Sequence, residues 1–262
     1  MSAVLLLKLF LVPALIALVT LAGRRWGPAV AGWLSAFPIV AGPILWFIAI
    51  EQGSAFAARA AVGTLSAVLA MLAFGLGYAW AATRYPWPLS LSLAYVGYAA
   101  AVIALDLWNA STLWVAGLVV AAGLWLAPRF YPVLPAPEKT LSKPPNDMLL
   151  RMALGALLVL LVTHFAASLG PDLSGVFAMF PVMGTVLVLF THRSAGAAAT
   201  IQLLRGMVLG FYAFGTFCAV LAWALSATAV GPAFLCALAA AAVVQLLSRL
   251  WLMRYRAVIA AQ

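Results

Sequence analysis

Long apolar runs follow one another along almost the whole of this 262-residue chain. A run of about 20 residues crosses the roughly 30 Å hydrocarbon core of a bilayer as an α-helix, because a helix rises about 1.5 Å per residue. Apolar residues make up 67% of the chain and charged residues 7%, against roughly a quarter charged in soluble proteins. The alternating strands of membrane barrels are not evident. The sequence therefore predicts an all-α polytopic membrane protein.

Nine transmembrane helices are predicted from these runs, near residues 3–22, 28–50, 57–83, 88–107, 111–128, 149–169, 172–191, 197–225 and 230–253. The one long polar stretch of sequence, Arg129 to Asp147, follows the fifth run and contains five prolines. This composition is typical of an extended linker. We therefore expect a multi-pass protein with a Pro-rich loop near its centre.

Basic residues at the ends of the apolar runs predict how the chain is oriented. With the N-terminus outside, the cytoplasmic ends collect most of the Lys and Arg residues, whereas Lys8 and Arg59 lie near the outer boundary. The positive-inside rule therefore favours an N-out, C-in orientation in an inner (plasma) membrane. Topology signals also account for the formal net charge of +9. No nucleic-acid partner is expected.

The chain repeats itself at an offset of 143 residues, and we call the residue at this offset the counterpart of a given residue. The matches are Gly27-Pro28 with Gly170-Pro171, Gly32 with Gly175, Phe37-Pro38 with Phe180-Pro181, Gly53 with Gly196, Gly63 with Gly206 and Phe74 with Phe217. Glycine, proline and aromatic residues are required by particular backbone conformations and packing contacts. Their repeated match is therefore not expected by chance between two apolar sequences. The repeat therefore indicates a duplicated protein.

The duplication divides the chain into two four-helix repeats at residues 1–110 and 148–262. Between them, residues 111–147 form a linking transmembrane helix and the Pro-rich cytoplasmic loop. Four spans plus one is an odd number, so the second copy is expected to enter the membrane from the opposite face. The sequence thus predicts a 4+1+4 inverted-topology repeat, an arrangement found in many secondary transporters.

The repeated Phe-Pro pair falls near the middle of the second and seventh predicted spans. Proline removes a backbone donor and clashes with the carbonyl four residues back, and the freed groups need partners inside the protein. Breaks at equal depth predict a substrate site around Phe37, Pro38, Phe180 and Pro181 near the midplane, with Pro43 close by. The alternative is that these prolines only shape helix packing.

Polar residues within the spans extend this prediction. Arg205 and Gln202 lie in the eighth span, and Arg59 is the counterpart of Gln202. A guanidinium fork suits carboxylate or phosphate, so these residues are predicted to bind an anionic solute. The alternative is that the arginines snorkel to the interface or bind nearby carbonyls. Glu51 and His164 are candidates for a coupled proton, or are a solvated end residue and a hydrogen-bonded core histidine.

Several chemistries have no visible signature in this sequence. The chain carries no phosphate-binding GxxxxGK[ST] loop, no HExxH and no Cys/His cluster with metal spacing. Cys218 and Cys236 lie in apolar runs, so no disulfide framework is expected. We expect neither an enzyme nor a bound cofactor or metal.

From Gly27 to about Tyr78 the chain carries Phe37-Pro38, then Glu51-Gln52-Gly53, then Arg59 in an Ala-rich helix. This pattern resembles the small GlpM-like inner-membrane proteins, which are about one copy long. The second copy keeps the Phe-Pro pair and the glycine but replaces the Glu-Gln and the Arg. The resemblance implies that single-copy relatives form antiparallel homodimers and that this chain is a fused, diverged version. It implies no activity, because the family has no defined one.

The sequence as a whole favours a secondary transporter or permease that works by alternating access on a small anionic or zwitterionic solute. Three other classes stay open: a lipid flippase, a passive channel and a non-transporting assembly subunit. The expected partners are membrane lipids and the solute. Whether the chain also forms a homodimer is left open.

Overall fold

The computed structural model of the chain describes the backbone of residues 3–108, 112–134, 146–168 and 180–260, and the side chains of residues 9–108, 112–134, 146–164 and 180–250. Every element within these ranges is an α-helix. The helices are α1 (Ala3–Trp26), α2 (Pro28–Ser35), α3 (Ala41–Gln52), α4 (Ser54–Ala82), α5 (Trp87–Trp108), α6 (Leu113–Phe130), α7 (Met148–Ser168), α8 (Val182–Ala227) and α9 (Val230–Ala260).

Six of these helices are long and apolar enough to cross a membrane: α1, α4, α5, α6, α8 and α9. The apolar part of α7, Met148–His164, is a shorter helix. The prediction of an all-helical membrane protein is therefore confirmed. The count of nine spans and the N-out, C-in orientation stay predictions.

Three sequence features lie wholly or partly outside the described residues. These are the matches Gly170-Pro171 and Gly175, residues 135–145 of the Pro-rich loop, and residues 172–179 of the seventh predicted span.

One predicted span is divided in the structure, and two others meet directly at a kink. The predicted span 28–50 is two helices, α2 and α3, with a turn at residues 36–40 between them. The predicted spans that end at 191 and begin at 197 correspond to the two parts of α8, which are separate helices that meet at Gly196. Within α8 the non-helical residue is Gly196, with φ 77° and ψ −177°, so the direction of the chain changes at a single residue.

The two Phe-Pro pairs form the same backbone turn. The N–H of Ile39 donates to the carbonyl of Phe37 at 2.8 Å, and the N–H of its counterpart Val182 donates to the carbonyl of Phe180 at 2.8 Å. A hydrogen bond from residue i+2 to residue i defines a γ-turn, and Pro181 has the φ −77° and ψ 59° of the inverse form. The repeat therefore extends from sequence to backbone geometry.

The first hydrogen bond of the following helix also matches between the copies. The N–H of Gly42 donates to Pro38 O at 3.0 Å, and the N–H of its counterpart Thr185 donates to Pro181 O at 2.8 Å. Each proline therefore accepts the first hydrogen bond of the helix that follows it. The backbone groups freed by the breaks are in part satisfied locally, as an apolar surrounding requires.

Gly53 and its counterpart Gly196 share a backbone conformation that is open almost exclusively to glycine. Gly53 has φ 86° and ψ 163°, and Gly196 has φ 77° with an extended ψ. Side chains rarely adopt positive φ with extended ψ, because the Cβ atom clashes with the backbone. Both glycines join the helix after the Phe-Pro turn to the next long helix, so each copy has the same joint.

The equivalent long helices of the two copies pack against each other in opposite directions. A Cβ atom on Gly215 of α8 would lie 3.5 Å from Leu65 of α4, and one on Gly75 of α4 would lie 3.6 Å from Leu204 of α8. Residue numbers rise along one helix as they fall along the other. The helix α4 and the part of α8 after Gly196 are therefore antiparallel.

The first helices of the two copies show the same relation. Ile16 of α1 packs on Gly155 of α7, and further along Arg24 pairs with Asp147 at 2.8 Å between Nη2 and Oδ1. The two helices α1 and α7 thus run antiparallel as well. Two independent pairs of counterpart helices share this relation.

The closest helix contact in the structure is between α2 and α8. A Cβ atom on Gly32 would overlap the carbonyl oxygen of Leu203, and one on Gly206 would overlap the carbonyl oxygen of Ala29. Gly206 and Gly210 form a GxxxG pair, the small-residue spacing that lets membrane helices approach backbone to backbone. The segment before the first Phe-Pro turn is thereby held on the second copy.

Candidate functional site

The regions after the two Phe-Pro turns pack against one small apolar cluster. Its buried members are Val12, Ile16, Val159, Val186 and Phe190. Val40, from the first turn, and Val182 and Met183, which begin α8, are the partly buried side chains that join them. Val40 and Met183 are counterparts. The fold therefore brings the two breaks, which are far apart in sequence, to the same region between α1 and α7.

Each break also contacts a phenylalanine of the opposite copy, and these two phenylalanines are counterparts. A Cβ atom on Gly184 would lie 3.6 Å from the ring of Phe74, and one on Gly42 would lie 3.7 Å from the ring of Phe217. Phe74 and Phe217 are counterparts, and both are almost fully buried. Phe74 and Phe217 thus have the same packing role, each against the break of the opposite copy.

Phe180 lies among aromatic side chains of the first copy. Its ring stacks on Tyr95 with a centroid distance of 5.1 Å and an interplanar angle of 24°. Tyr98 meets it edge-on at 6.4 Å, and Phe74 lies 5.6 Å from Tyr95. Aromatic pairs of this kind contribute about 0.5–1.5 kcal/mol beyond their buried area. In the described part of the chain, the ring contacts of Phe180 are with these tyrosines and none is with Phe37.

Polar groups accompany this aromatic group. We call Tyr78, Tyr95, Tyr98, Thr185 and His192 the polar strip. The hydroxyl of Tyr95 lies 2.6 Å from Oγ1 of Thr185, and the hydroxyl of Tyr78 lies 3.0 Å from Nδ1 of His192. Both hydrogen bonds join the first copy to the second.

The polar strip reaches the middle of the helices. Tyr95 lies eight residues into α5, about 12 Å along the axis, close to the centre of a hydrocarbon core roughly 30 Å thick. Tyr78 is four residues from the end of α4, and His192 is four residues before the bend at Gly196. The strip therefore extends from near one end of the helices to mid-membrane.

The counterparts of the polar strip are all apolar or lack a side chain. They are Leu221 for Tyr78, Leu238 for Tyr95, Ala241 for Tyr98, Gly42 for Thr185 and Ala49 for His192. The positions equivalent to the polar strip therefore provide no polar side chain for a contact between the copies. Burying polar side chains in a bilayer interior costs free energy. Their presence at only one of the two sets of counterpart positions therefore points to a function rather than to packing.

Arg205 lies nine residues after the Gly196 bend. Its Nη2 donates to the carbonyl oxygen of Tyr131 at 3.1 Å, and Tyr131 caps the C-terminal end of α6. A cation there interacts favourably with the helix dipole and an orphan carbonyl. Its Nε is buried without a hydrogen-bond partner, and Arg205 has no carboxylate partner among the described residues.

A small cavity lies beside the second break. Pro181, Gly184, Phe74, Tyr131 and Leu204 are among its lining residues. Its volume is about 10 Å³, enough for about one water molecule. Organic ligands of drug size occupy sites of about 300–1,000 Å³, so in this conformation the space beside Pro181 is closed to such a solute.

The other residues predicted for the site lie in different surroundings. Glu51 and Arg59 are exposed around the Gly53 joint, and the guanidinium of Arg59 lies 5.8 Å from the ring of Phe56. His164 is exposed near the end of α7. Pro43 and Gln202 are half-buried.

The two Phe-Pro pairs themselves are enclosed. Pro38 and Pro181 are buried, and Phe37 and Phe180 are half-buried. In the described ranges, no group of three His, Cys, Asp or Glu side chains is placed to hold a metal ion.

A comparison of the chain with models of protein families, with curated proteins and with solved structures found no match in any of the three.

Proposed function

We propose that this protein is a secondary transporter of the inner (plasma) membrane that carries a small anionic or zwitterionic solute by alternating access. The observation that carries the proposal is the matched pair of breaks. Pro38 and Pro181 make the same turn and start the next helix with the same bond, and the residues that follow them pack against the same apolar cluster. Paired broken helices near the midplane are the usual binding elements of inverted-repeat transporters.

The direction of the helices supports an inverted repeat. Counterpart helices that cross the bilayer in the same sense would run parallel to each other. Here α4 and the second part of α8 are antiparallel, and so are α1 and α7. In this proposal the chain is a fused and diverged form of a GlpM-like antiparallel dimer, with α6 as the linking helix.

Arg205 supports an anionic or zwitterionic solute. One of its donors is used by the carbonyl of Tyr131, and its Nε is buried and unused. A guanidinium with free donors and no carboxylate partner favours a carboxylate or phosphate ligand. Tyr131 also lines the cavity beside Pro181, so the residue that binds Arg205 borders the second break.

The closed cavity implies a step in which the site opens. Transporters and enzymes open such sites at a few residues that absorb large changes in φ and ψ. Gly53 and Gly196 are suited to this role because they join the broken spans to α4 and to the second part of α8. We therefore assign the structure to an occluded conformation and the two glycines to its hinges.

The inverted arrangement predicts that counterpart residues lie on opposite faces of the membrane. Gln52 and Ala195 are counterparts, and both are exposed beside a hinge glycine. In a chain with Cys218 and Cys236 changed to alanine, Gln52→Cys is expected to react with an impermeant maleimide in right-side-out vesicles. Ala195→Cys is expected to react only after permeabilisation. Labelling of both from the same face would contradict the inverted repeat.

Transport itself is tested with purified protein in liposomes. We expect saturable uptake of at least one member of a panel of radiolabelled monocarboxylates, dicarboxylates, amino acids and inorganic phosphate, well above that of empty liposomes. Dithionite bleaching of labelled lipids and single-channel recording are run in parallel. Lipid scrambling would favour a flippase, a unitary conductance would favour a channel, and no flux of any kind would contradict transport.

A further inference from the structure

His192 holds a position that the proposed transport of a solute does not by itself explain. It is half-buried on α8, and its Nδ1 lies 3.0 Å from the hydroxyl of Tyr78 on α4. The two rings meet nearly edge-on, with centroids 5.8 Å apart at 69°. Histidine changes its charge between about pH 5 and 8, which makes it the side chain best suited to exchange a proton under physiological conditions.

The polar strip continues from this pair toward the second break. The ring of Phe74 lies 6.4 Å from that of Tyr78 and 5.6 Å from that of Tyr95, so the two tyrosines lie next to the same phenylalanine. Tyr95 in turn reaches Thr185. The small cavity beside Pro181 also borders Phe74. Polar groups thus follow one another from His192 to the residues that flank the break.

The asymmetry between the copies favours a functional reason for His192 over a purely structural one. Its counterpart is Ala49, and the counterpart of Tyr78 is Leu221. Ala49 and Leu221 are both buried, so the equivalent contact packs well without a hydrogen bond. A pair of polar groups retained on one side of the repeat therefore needs a functional explanation.

The charges around His192 are few. From α4 it meets Tyr78, and from α5 the hydroxyl of Tyr95 contacts Thr185 on the same helix. From α7, Arg151 lies over the ring of Phe190 at 4.8 Å and is paired with Asp147 at 2.8 Å. Arg193 follows His192 in the chain and is exposed.

In the part of the chain that is described, no carboxylate forms an ion pair with His192. A proton on the imidazole therefore adds a positive charge that no neighbouring acid cancels. An anionic solute bound near the break would supply the missing negative charge. By linkage, the proton and the anion then strengthen each other's binding by the same factor.

We propose that the His192–Tyr78 pair binds the proton that is co-transported with an anionic solute. This inference rests on the transport function proposed above. In the tautomer with its hydrogen on Nε2, the proton comes from hydronium in water and adds to Nδ1, which changes from acceptor to donor toward the Tyr78 oxygen. The hydroxyl hydrogen of Tyr78 then turns to another acceptor. Uptake breaks an O–H bond of hydronium and forms the N–H bond, and release reverses this exchange with water on the other side.

Proton binding can be observed directly by NMR with ¹⁵N-histidine in detergent micelles. The chain contains two histidines, so His164→Gln leaves His192 as the only signal. We expect its imidazole shifts to titrate in a scan from about pH 4 to pH 9 and the titration curve to change in Tyr78→Phe. Tyr212→Phe, which removes a hydroxyl elsewhere on α8, is the matched control. A His192 signal that stays in one protonation state across this range would overturn the inference.

Coupling is measured with the best solute of the panel and an imposed pH gradient. One pH unit is expected to raise accumulation by up to about tenfold in the wild type if one proton accompanies each solute. In His192→Gln this ratio is expected to fall to about 1, while solute exchange at equal pH persists. His164, the other histidine named as a candidate for the proton, is tested in the same assay. A response lost in His164→Gln and kept in His192→Gln would assign the proton to His164 and overturn the inference.

The outcomes separate the two proposals. Absence of uptake by the wild type contradicts the transport function. Wild-type uptake that ignores the gradient, or a His192→Gln variant that still responds to it, overturns the proton site and leaves transport standing. Melting temperatures and gel-filtration profiles of the variants show whether a loss of coupling arises from a loss of fold.

Discussion

Replacing Gly206 by alanine is expected to destabilise the protein severely, whereas alanine at its counterpart Gly63 should leave stability almost unchanged. A Cβ atom on Gly206 would overlap the carbonyl oxygen of Ala29 and lie 2.8 Å from its carbonyl carbon. Nothing lies within 4 Å of the same atom on Gly63. We expect a loss of at least about 3 kcal/mol for Gly206→Ala, because backbone atoms cannot turn aside as a side chain can.

The two variants form a matched pair because both glycines lie within long helices at equivalent positions. Alanine in an exposed helix interior is favoured over glycine by about 0.8–1.0 kcal/mol, so Gly63→Ala is expected to be neutral or slightly stabilising. The measurement is the melting temperature in detergent by intrinsic tryptophan fluorescence, with gel filtration as a check on the fold. Equal shifts for both variants would contradict the close contact between α2 and α8.

Replacing Arg205 by glutamine is expected to weaken solute binding about 10- to 100-fold, because a hydrogen bond to a charged group contributes about 1.5–3 kcal/mol. The guanidinium has a buried Nε without a hydrogen-bond partner, and its Nη2 donates to the carbonyl oxygen of Tyr131. Arg59→Gln is the control, since Arg59 is exposed and lies over Phe56. The measurement is the KM of uptake, or the Kd of the same solute in a thermal-shift titration.

Arg205 also binds the end of α6, so its loss affects stability as well. Arg205→Lys keeps the charge but not the planar fork and is expected to recover binding in part. A fold that is intact by melting temperature, combined with unchanged affinity in Arg205→Gln, would show that the solute does not use this residue. Loss of affinity in Arg59→Gln would place the anion site on the surface instead.

The positions of the breaks and hinges could be predicted from the sequence. Proline at 38 and 181 forces a turn wherever the chain is otherwise helical, and glycine at 53 and 196 tolerates the positive φ of the joints. Both requirements arise from the local backbone conformation. Each occurs twice in the sequence because the chain repeats at an offset of 143 residues. The apolar runs likewise predict helices without any knowledge of packing.

The polar strip could not be predicted in the same way. A tyrosine within an apolar run, such as Tyr95, gives no sign of which helix it faces, because that depends on how α4, α5 and α8 pack. Arg205 reaches Tyr131 only because α6 ends at that depth. One signal was present in the sequence: the comparison of counterparts, which shows Tyr78 opposite Leu221 and His192 opposite Ala49.

The one-sided polar strip has a consequence for the energetics of alternating access. In two identical inverted copies, exchanging their conformations gives the opposite-facing state at equal free energy. Here the hydrogen bonds Tyr95–Thr185 and Tyr78–His192 belong to one side alone. At about 0.5–1.5 kcal/mol each, they would favour a state in which both are made over one in which both are broken by roughly 5- to 150-fold. In the proposed alternating-access cycle, the chain would therefore have a preferred resting direction, from which the proposed solute and its proton would shift the protein.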